Sequence, residues 1–87
     1  MPKSVYSPQY ERFRELLIRA RKDTELTQQE LAARLGRPQS YVSKYENGER
    51  RLDLIEFLEL SRALKIDVPL FIEQLQQYKH EDQQRSE

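Results

Sequence analysis

Residues 26–48 read LTQQELAARLGRPQSYVSKYENG, and the fold of the chain turns on this stretch. Thr27 stands where a helix starts, and Glu30 follows three residues later. The threonine hydroxyl accepts from a backbone N–H of the first turn while the glutamate reaches back, which is a capping box. Leu31, Ala32 and Leu35 then form one apolar stripe at helical spacing. Gly36 stops this helix, because it takes a positive φ without a Cβ clash and lets the chain reverse. Pro38 begins the next helix, where its missing N–H is not needed, and Asn47-Gly48 ends it.

The second of these helices has two unlike sides. At about 100° per residue, Gln39, Ser40, Ser43 and Lys44 share one arc, while Val42 and Tyr45 lie opposite with Tyr41 beside them. The apolar side is an anchor. The other side offers an amide, two hydroxyls and an ammonium. Glutamine can pair bidentately with the N6/N7 edge of adenine, lysine can donate to guanine O6/N7, and serine can meet a base or a phosphate. A plain solvated face is the usual account of such an arc. The order helix, glycine turn, helix, with small Ala32 where the two must approach closely, argues instead for a helix-turn-helix.

Carried by LTQQELAARLG, a residue pair and QSYVSKYENG, the sequence resembles the phage-repressor (Cro/cI, or XRE) helix-turn-helix family over roughly residues 10–75. The resemblance implies a lambda-repressor-like fold and roles for individual positions. Gln39, Ser40, Ser43 and Lys44 occupy base-reading positions. Gln28, at the start of the first helix of the pair, and Asn47, after the second, occupy phosphate-contacting ones, and Arg37 and Tyr41 are grouped with them. Arg21 and Glu46 match an internal ion pair. Family members often carry glycine where Lys65 ends the fourth helix.

Composition narrows the alternatives. The chain has 87 residues and no cysteine, enough for one small domain and without disulfides, zinc-finger thiolates or a thiol nucleophile. Its single histidine, His80, lies in a polar stretch with no metal-ligating companions. No catalytic dyad, metal cluster or phosphate-binding glycine loop is present, so neither an enzyme nor a cofactor is expected. No apolar run reaches the roughly 20 residues of a membrane span, and the N-terminus lacks a signal-peptide core, which suggests a cytoplasmic protein. Net charge is zero, unusual for a DNA-binding domain. Residues 1–52 hold eleven basic and seven acidic residues, a surplus of +4, and residues 53–87 hold four and eight, a balance of −4. The positive half contains the helix pair.

Around this centre the chain reads as an all-α, five-helix bundle. Residues 1–9 form an arm, 10–76 the domain and 77–87 a polar, disordered tail. A first helix over about Pro8–Lys22 carries Tyr10, Phe13, Leu17 and Ala20 at helical spacing, with Leu16 beside them. Arg50 and Arg51, in the loop after the recognition helix, suit phosphate contacts. Asp53 caps a fourth helix with Glu56 as a second capping box. Leu54, Ile55, Leu58, Ser61 and Leu64 suit its core face, and Phe57, Leu60 and Ala63 widen it. Asp67 starts a fifth helix with Pro69 in its first turn. Its Leu70, Phe71, Ile72 and Leu75 point more ways than one small core can bury, which suggests a dimer interface.

These features point to a transcriptional regulator, a repressor by default, that binds a palindromic operator in the major groove as a homodimer. An antitoxin of a toxin–antitoxin module, or a restriction–modification controller, fits the same fold. So does a protein-bridging module with little DNA binding; the protein partner would be a toxin for the antitoxin and a transcription protein such as the polymerase for the bridging module.

Overall fold

The computed structural model describes residues 7–85, with side chains described as far as Gln77. Five helices follow one another: α1 (Pro8–Asp23), α2 (Gln28–Leu35), α3 (Gln39–Glu46), α4 (Leu54–Leu64) and α5 (Val68–Arg85). Among the described residues there is no strand, so the architecture is an all-α helical bundle.

Side chains set four of the five helix starts. The Ser7 hydroxyl accepts from the Tyr10 N–H at 3.0 Å. Thr27 and Glu30 make both halves of a capping box, at 3.0 and 2.9 Å, and Asp53 and Glu56 repeat it at 2.8 and 3.0 Å. Asp67 accepts from the Leu70 N–H at 3.1 Å. Each such bond satisfies a first-turn donor that the helix itself leaves open. The exception is α3. Pro38 stands just before it as the N-cap, rather than inside it, and supplies no side-chain cap.

The ends follow the same local logic. Gly36 closes α2 at φ 68°, in the left-handed region. Lys65 closes α4 at φ 56°, doing the same work where glycine would fit better. A side chain in that region costs roughly 1–2 kcal/mol. The helical backbone of α5 continues to Arg85, beyond the boundary at residue 76 expected from composition. The added residues include no glycine or proline, and Gln, Lys, Glu and Arg are good helix formers. Residues 1–6 of the expected arm lie outside the described residues.

Packing joins α2 chiefly to α3, and α5 chiefly to α1. Leu17, Leu31, Val42, Tyr45 and Leu60 are fully buried at the centre. Ala32 is buried too, its small side chain lying in the core that α2 and α3 share. Three phenylalanines staple α1, α4 and α5. Phe13 lies 5.7 Å from Phe57 and 5.8 Å from Phe71, and Phe57 lies 5.0 Å from Phe71, ring centre to ring centre.

Two expectations about buried faces are corrected. Phe71 is not a surface residue available to a dimer: it is only 5% exposed, inside the aromatic staple, while Leu70 and Ile72 beside it remain partly exposed. Leu54 and Ile55 are not core residues: they are 67% and 63% exposed. The core face of α4 is Phe57, Leu60, Ser61 and Leu64, and its first turn projects beyond the packed interior. Ser61 is tolerated there because its hydroxyl donates to the Phe57 carbonyl at 2.8 Å.

Candidate nucleic-acid interface

The position of α3 is set by a carboxylate on its buried side. Glu46 is buried, and one guanidinium and one amide converge on it. Arg21 donates through Nε at 2.7 Å and through Nη2 at 3.1 Å, and Gln28 donates through Nε2 at 2.8 Å. Arg21 also donates through Nη1 to the Leu26 carbonyl at 2.9 Å. Its hydrogen bond to Glu46 holds the guanidinium pKa above its ordinary value. A buried carboxylate without such partners would be costly. With them, it joins α1, the turn into α2, the start of α2 and the end of α3 at one point.

A second arginine of α1 acts on the same helix end. Arg14 donates to the backbone carbonyl of Glu46 and pairs with Glu11. It thereby satisfies one of the last carbonyls of α3, which the helix cannot satisfy itself. Gly48 lies against this guanidinium at φ 82°, and a Cβ there would stand 3.3 Å from Arg14 Cζ. Above this layer Tyr45 is fully buried, and burial pushes its phenol pKa up.

Toward α4 the fastening is made of arginine and tyrosine. Arg37 and Arg50 place their guanidiniums 4.5 and 4.9 Å from the centre of the Tyr41 ring. Each is then held by a glutamate of α4. Arg37 reaches Glu59 at 2.9 Å, and Arg50 grips both oxygens of Glu56 at 3.1 and 2.8 Å. The Arg50 hydrogen bond lowers the Glu56 pKa. Arg51 lies 4.3 Å from the centre of the Tyr10 ring, whose hydroxyl accepts from the Leu52 N–H at 3.2 Å. The loop after α3 is thus tied at both ends.

The outer side of α3 is free of such ties. Gln39, Ser40 and Lys44 are exposed, and their side chains make no hydrogen bond or ion pair among the described residues. Ser43 is half-buried, its hydroxyl donating to the Ser40 carbonyl at 3.3 Å. Asn47, the C-cap, is exposed. A shallow hollow flanks this arc, lined by Arg37, Pro38, Ser40, Tyr41, Lys44, Glu49 and Arg50. It sets three cations against one carboxylate. The first turn of α3, without a side-chain cap, opens beside it; the Tyr41 N–H donates to the Pro38 carbonyl at 3.0 Å, and the N–H groups of Gln39 and Ser40 before it can meet an anion.

The residues singled out from sequence therefore divide. Gln39, Ser40, Ser43 and Lys44 stand together on one arc, with Asn47 and Arg51 at its end and in the loop beyond. Gln28, Arg37 and Arg50 are engaged by Glu46, Glu59 and Glu56, and Tyr41 is buried beneath two of those arginines. Arg14 escaped notice in the sequence. The available signal was its spacing from Arg21: seven residues are two helical turns, which puts both arginines on the same face of α1.

A helix-turn-helix family model (HTH_3) matches residues 17–71, more than half of the chain. Among solved structures, an XRE-family like protein from Pseudomonas syringae pv. tomato str. DC3000 superposes with a TM-score of 0.79. The two share 46% sequence identity over 87% of this chain and 93% of that one. No curated protein matches. Among the described residues no helix is long and apolar enough to cross a membrane. With a helix pair locked from behind and polar in front, and with these two matches to its sequence and fold, the chain belongs to the XRE-type helix-turn-helix family of DNA-binding regulators.

Proposed function

We propose that this chain is a sequence-specific transcriptional repressor that binds a palindromic operator as a homodimer. The observation that carries the reading is the outer arc of α3. Gln39, Ser40 and Lys44 are exposed and make no hydrogen bond or ion pair among the described residues, on a helix whose opposite side is hydrogen-bonded to α1 and α2 and meets, at Tyr41, the two arginines held by α4. A rigid helix with free hydrogen-bonding groups pays little entropy on docking. In a major groove, Gln39 and Lys44 read base edges, with Ser40 and Ser43 beside them.

Phosphate contacts flank this reading surface. The open first turn of α3 and the Lys44 side of the hollow suit one strand, and Asn47 and Arg51 suit the other. Arg37 and Arg50 add positive potential there while remaining tied to α4. Their glutamates offset much of it, in keeping with a chain of zero net charge. Non-specific binding is correspondingly weak, and base readout carries more of the affinity.

Two such helices, one from each protomer, enter successive major grooves about 34 Å apart. Repression follows from occupancy of a promoter by this small unit. The test is selection of bound sequences from a random duplex pool, then titration of the best duplex at two salt concentrations. The expected result is an inverted repeat with half-sites one helical turn apart. No enrichment, or binding that vanishes near physiological salt, overturns the reading and favours a module that binds proteins.

A further inference from the structure

The C-terminal ends of α2 and α4 border an open hollow. Arg34, Leu35 and Arg37 line it on one side, and Glu59, Arg62, Ala63 and Lys65 on the other. It shares only Arg37 with the hollow that flanks α3. We infer that it docks an acidic peptide segment of a protein partner, one that carries an aliphatic side chain among its carboxylates. The inference goes beyond the DNA reading and does not rest on it.

Charge is the first argument. In this chain of zero net charge, Arg12, Arg14, Arg21, Arg37 and Arg50 are each paired with a glutamate. Arg34, Arg62 and Lys65 are exposed, and their side chains make no hydrogen bond or ion pair among the described residues. All three line the hollow, whose one carboxylate, Glu59, is already held by Arg37 at 2.9 Å. Arg34 and Arg62 stand in the last turns of their helices, where a cation complements the carbonyl end. That accounts for their sign. It does not account for their meeting, together with Lys65, around one hollow.

Backbone polarity selects the kind of anion. Two helices end here, and the last carbonyls of a helix have no partner within it. The N–H groups of Gly36, Arg37 and Ile66 bond Ala33, Ala32 and Ser61 instead, and no backbone N–H among the described residues bonds the carbonyl of Arg34 or Arg62. Such ends carry partial negative charge, which disfavours a phosphate lying against them. A peptide brings both carboxylates for the cations and N–H donors for the carbonyls. A nucleic-acid backbone brings no such donors.

Shape is the third argument. Leu35 and Ala63 are partly buried against the core and make part of the hollow apolar. An aliphatic side chain resting there adds the burial that exposed charge pairs do not supply. The Arg37–Glu59 pair already ties the two walls together, so docking requires little rearrangement.

The test uses a short fluorescent probe peptide of glutamates and glycines with one central leucine. Its anisotropy is titrated with the parent, with Arg34→Gln/Arg62→Gln, and with Arg19→Gln/Lys22→Gln, which removes two exposed cations of α1. Thermal unfolding checks that each variant folds. The expected result is saturable binding by the parent, about tenfold weaker in the first variant, as two exposed charge pairs supply, and retained in the second. A probe with glycine in place of leucine binds more weakly to the parent. No saturable binding by the parent, or equal losses in the two variants, overturns the inference. Should the first variant fail to fold, amide shifts of the parent decide: shifts on residues 34–37 and 59–65 support the site, and shifts elsewhere overturn it. The variants are also titrated with the selected duplex. A first variant that loses as much on DNA as on the peptide assigns the hollow to phosphate and overturns the inference.

Discussion

The two sides of α3 are built on opposite terms. Inward, Tyr41, Val42, Tyr45 and Glu46 are buried, and Glu46 alone gathers three hydrogen bonds from Arg21 and Gln28. Outward, Gln39, Ser40 and Lys44 are exposed and unbonded among the described residues. Eight residues thus divide the labour of the domain. The inner side spends its polar groups on holding an orientation, and the outer side keeps its own for something else. A helix fixed only by apolar packing could rock by a fraction of a turn; ion pairs and bidentate arginines resist that, because their geometry is directional.

Changes on the inner side should cost folding, and changes on the outer side should cost only recognition. The largest effect is expected for Arg21→Ala. It leaves the Glu46 carboxylate buried with only Gln28, and the loss of unfolding free energy is about 3–5 kcal/mol by urea titration. A loss no larger than that of a surface substitution would mean that Glu46 is solvated after all.

Gln39→Ala sharpens the contrast from the other side. Stability stays within about 0.5 kcal/mol of the parent, while binding to the selected duplex weakens by about 1–3 kcal/mol and binding to unrelated duplexes hardly changes. Equal losses on both duplexes would remove Gln39 from base readout.

Gly48→Ala probes the turn that follows α3. The left-handed backbone costs a side chain about 1–2 kcal/mol, and the new Cβ would also press on an Arg14 that Glu46 and Glu11 already hold. Thermal unfolding measures the loss; an unchanged midpoint would show that Arg14 yields freely.

The smallest effect concerns acid. The Arg50 hydrogen bond lowers the Glu56 pKa below its ordinary value. The stability it contributes is therefore complete above the unfolded carboxylate pKa, about 4.3, and is lost as pH falls through the lower folded value. In Glu56→Gln, the unfolding midpoint falls less steeply with acid than in the parent. Equal slopes would mean that the Arg50–Glu56 pair carries no pH-dependent stability.

What could be read in the sequence was whatever depends on near neighbours. The capping boxes at Thr27 and Asp53 and the reversal at Gly36 involve residues within four positions of each other, and the structure has all of them. The polar arc of α3 was legible for the same reason, since periodicity alone places Gln39, Ser40, Ser43 and Lys44 together. Contacts between distant segments were not legible from periodicity and capping; the Arg21–Glu46 pair, 25 residues apart and present in the structure, was implied only by the family resemblance. Nothing around Gln28 or Arg37 announces that Glu46 and Glu59, 18 and 22 residues away, will take their side chains. Spacing also treats every apolar residue of a stripe alike. Leu54 and Ile55 belong to the stripe of α4 but lie beyond the core that Phe57 enters, and Phe71 enters a core that Leu70 misses. Only packing distinguishes them.

The central claim is that the unoccupied arc of α3 meets DNA while its fastened side does not. Backbone amide mapping by NMR during titration with the selected duplex tests this directly. The account predicts that shifts concentrate on residues 39–44 and 47–51, while amides along α1 around Leu16 and Leu17 stay in place. Shifts concentrated instead on α5 and the end of α1, with residues 39–44 unmoved at saturation, would contradict it.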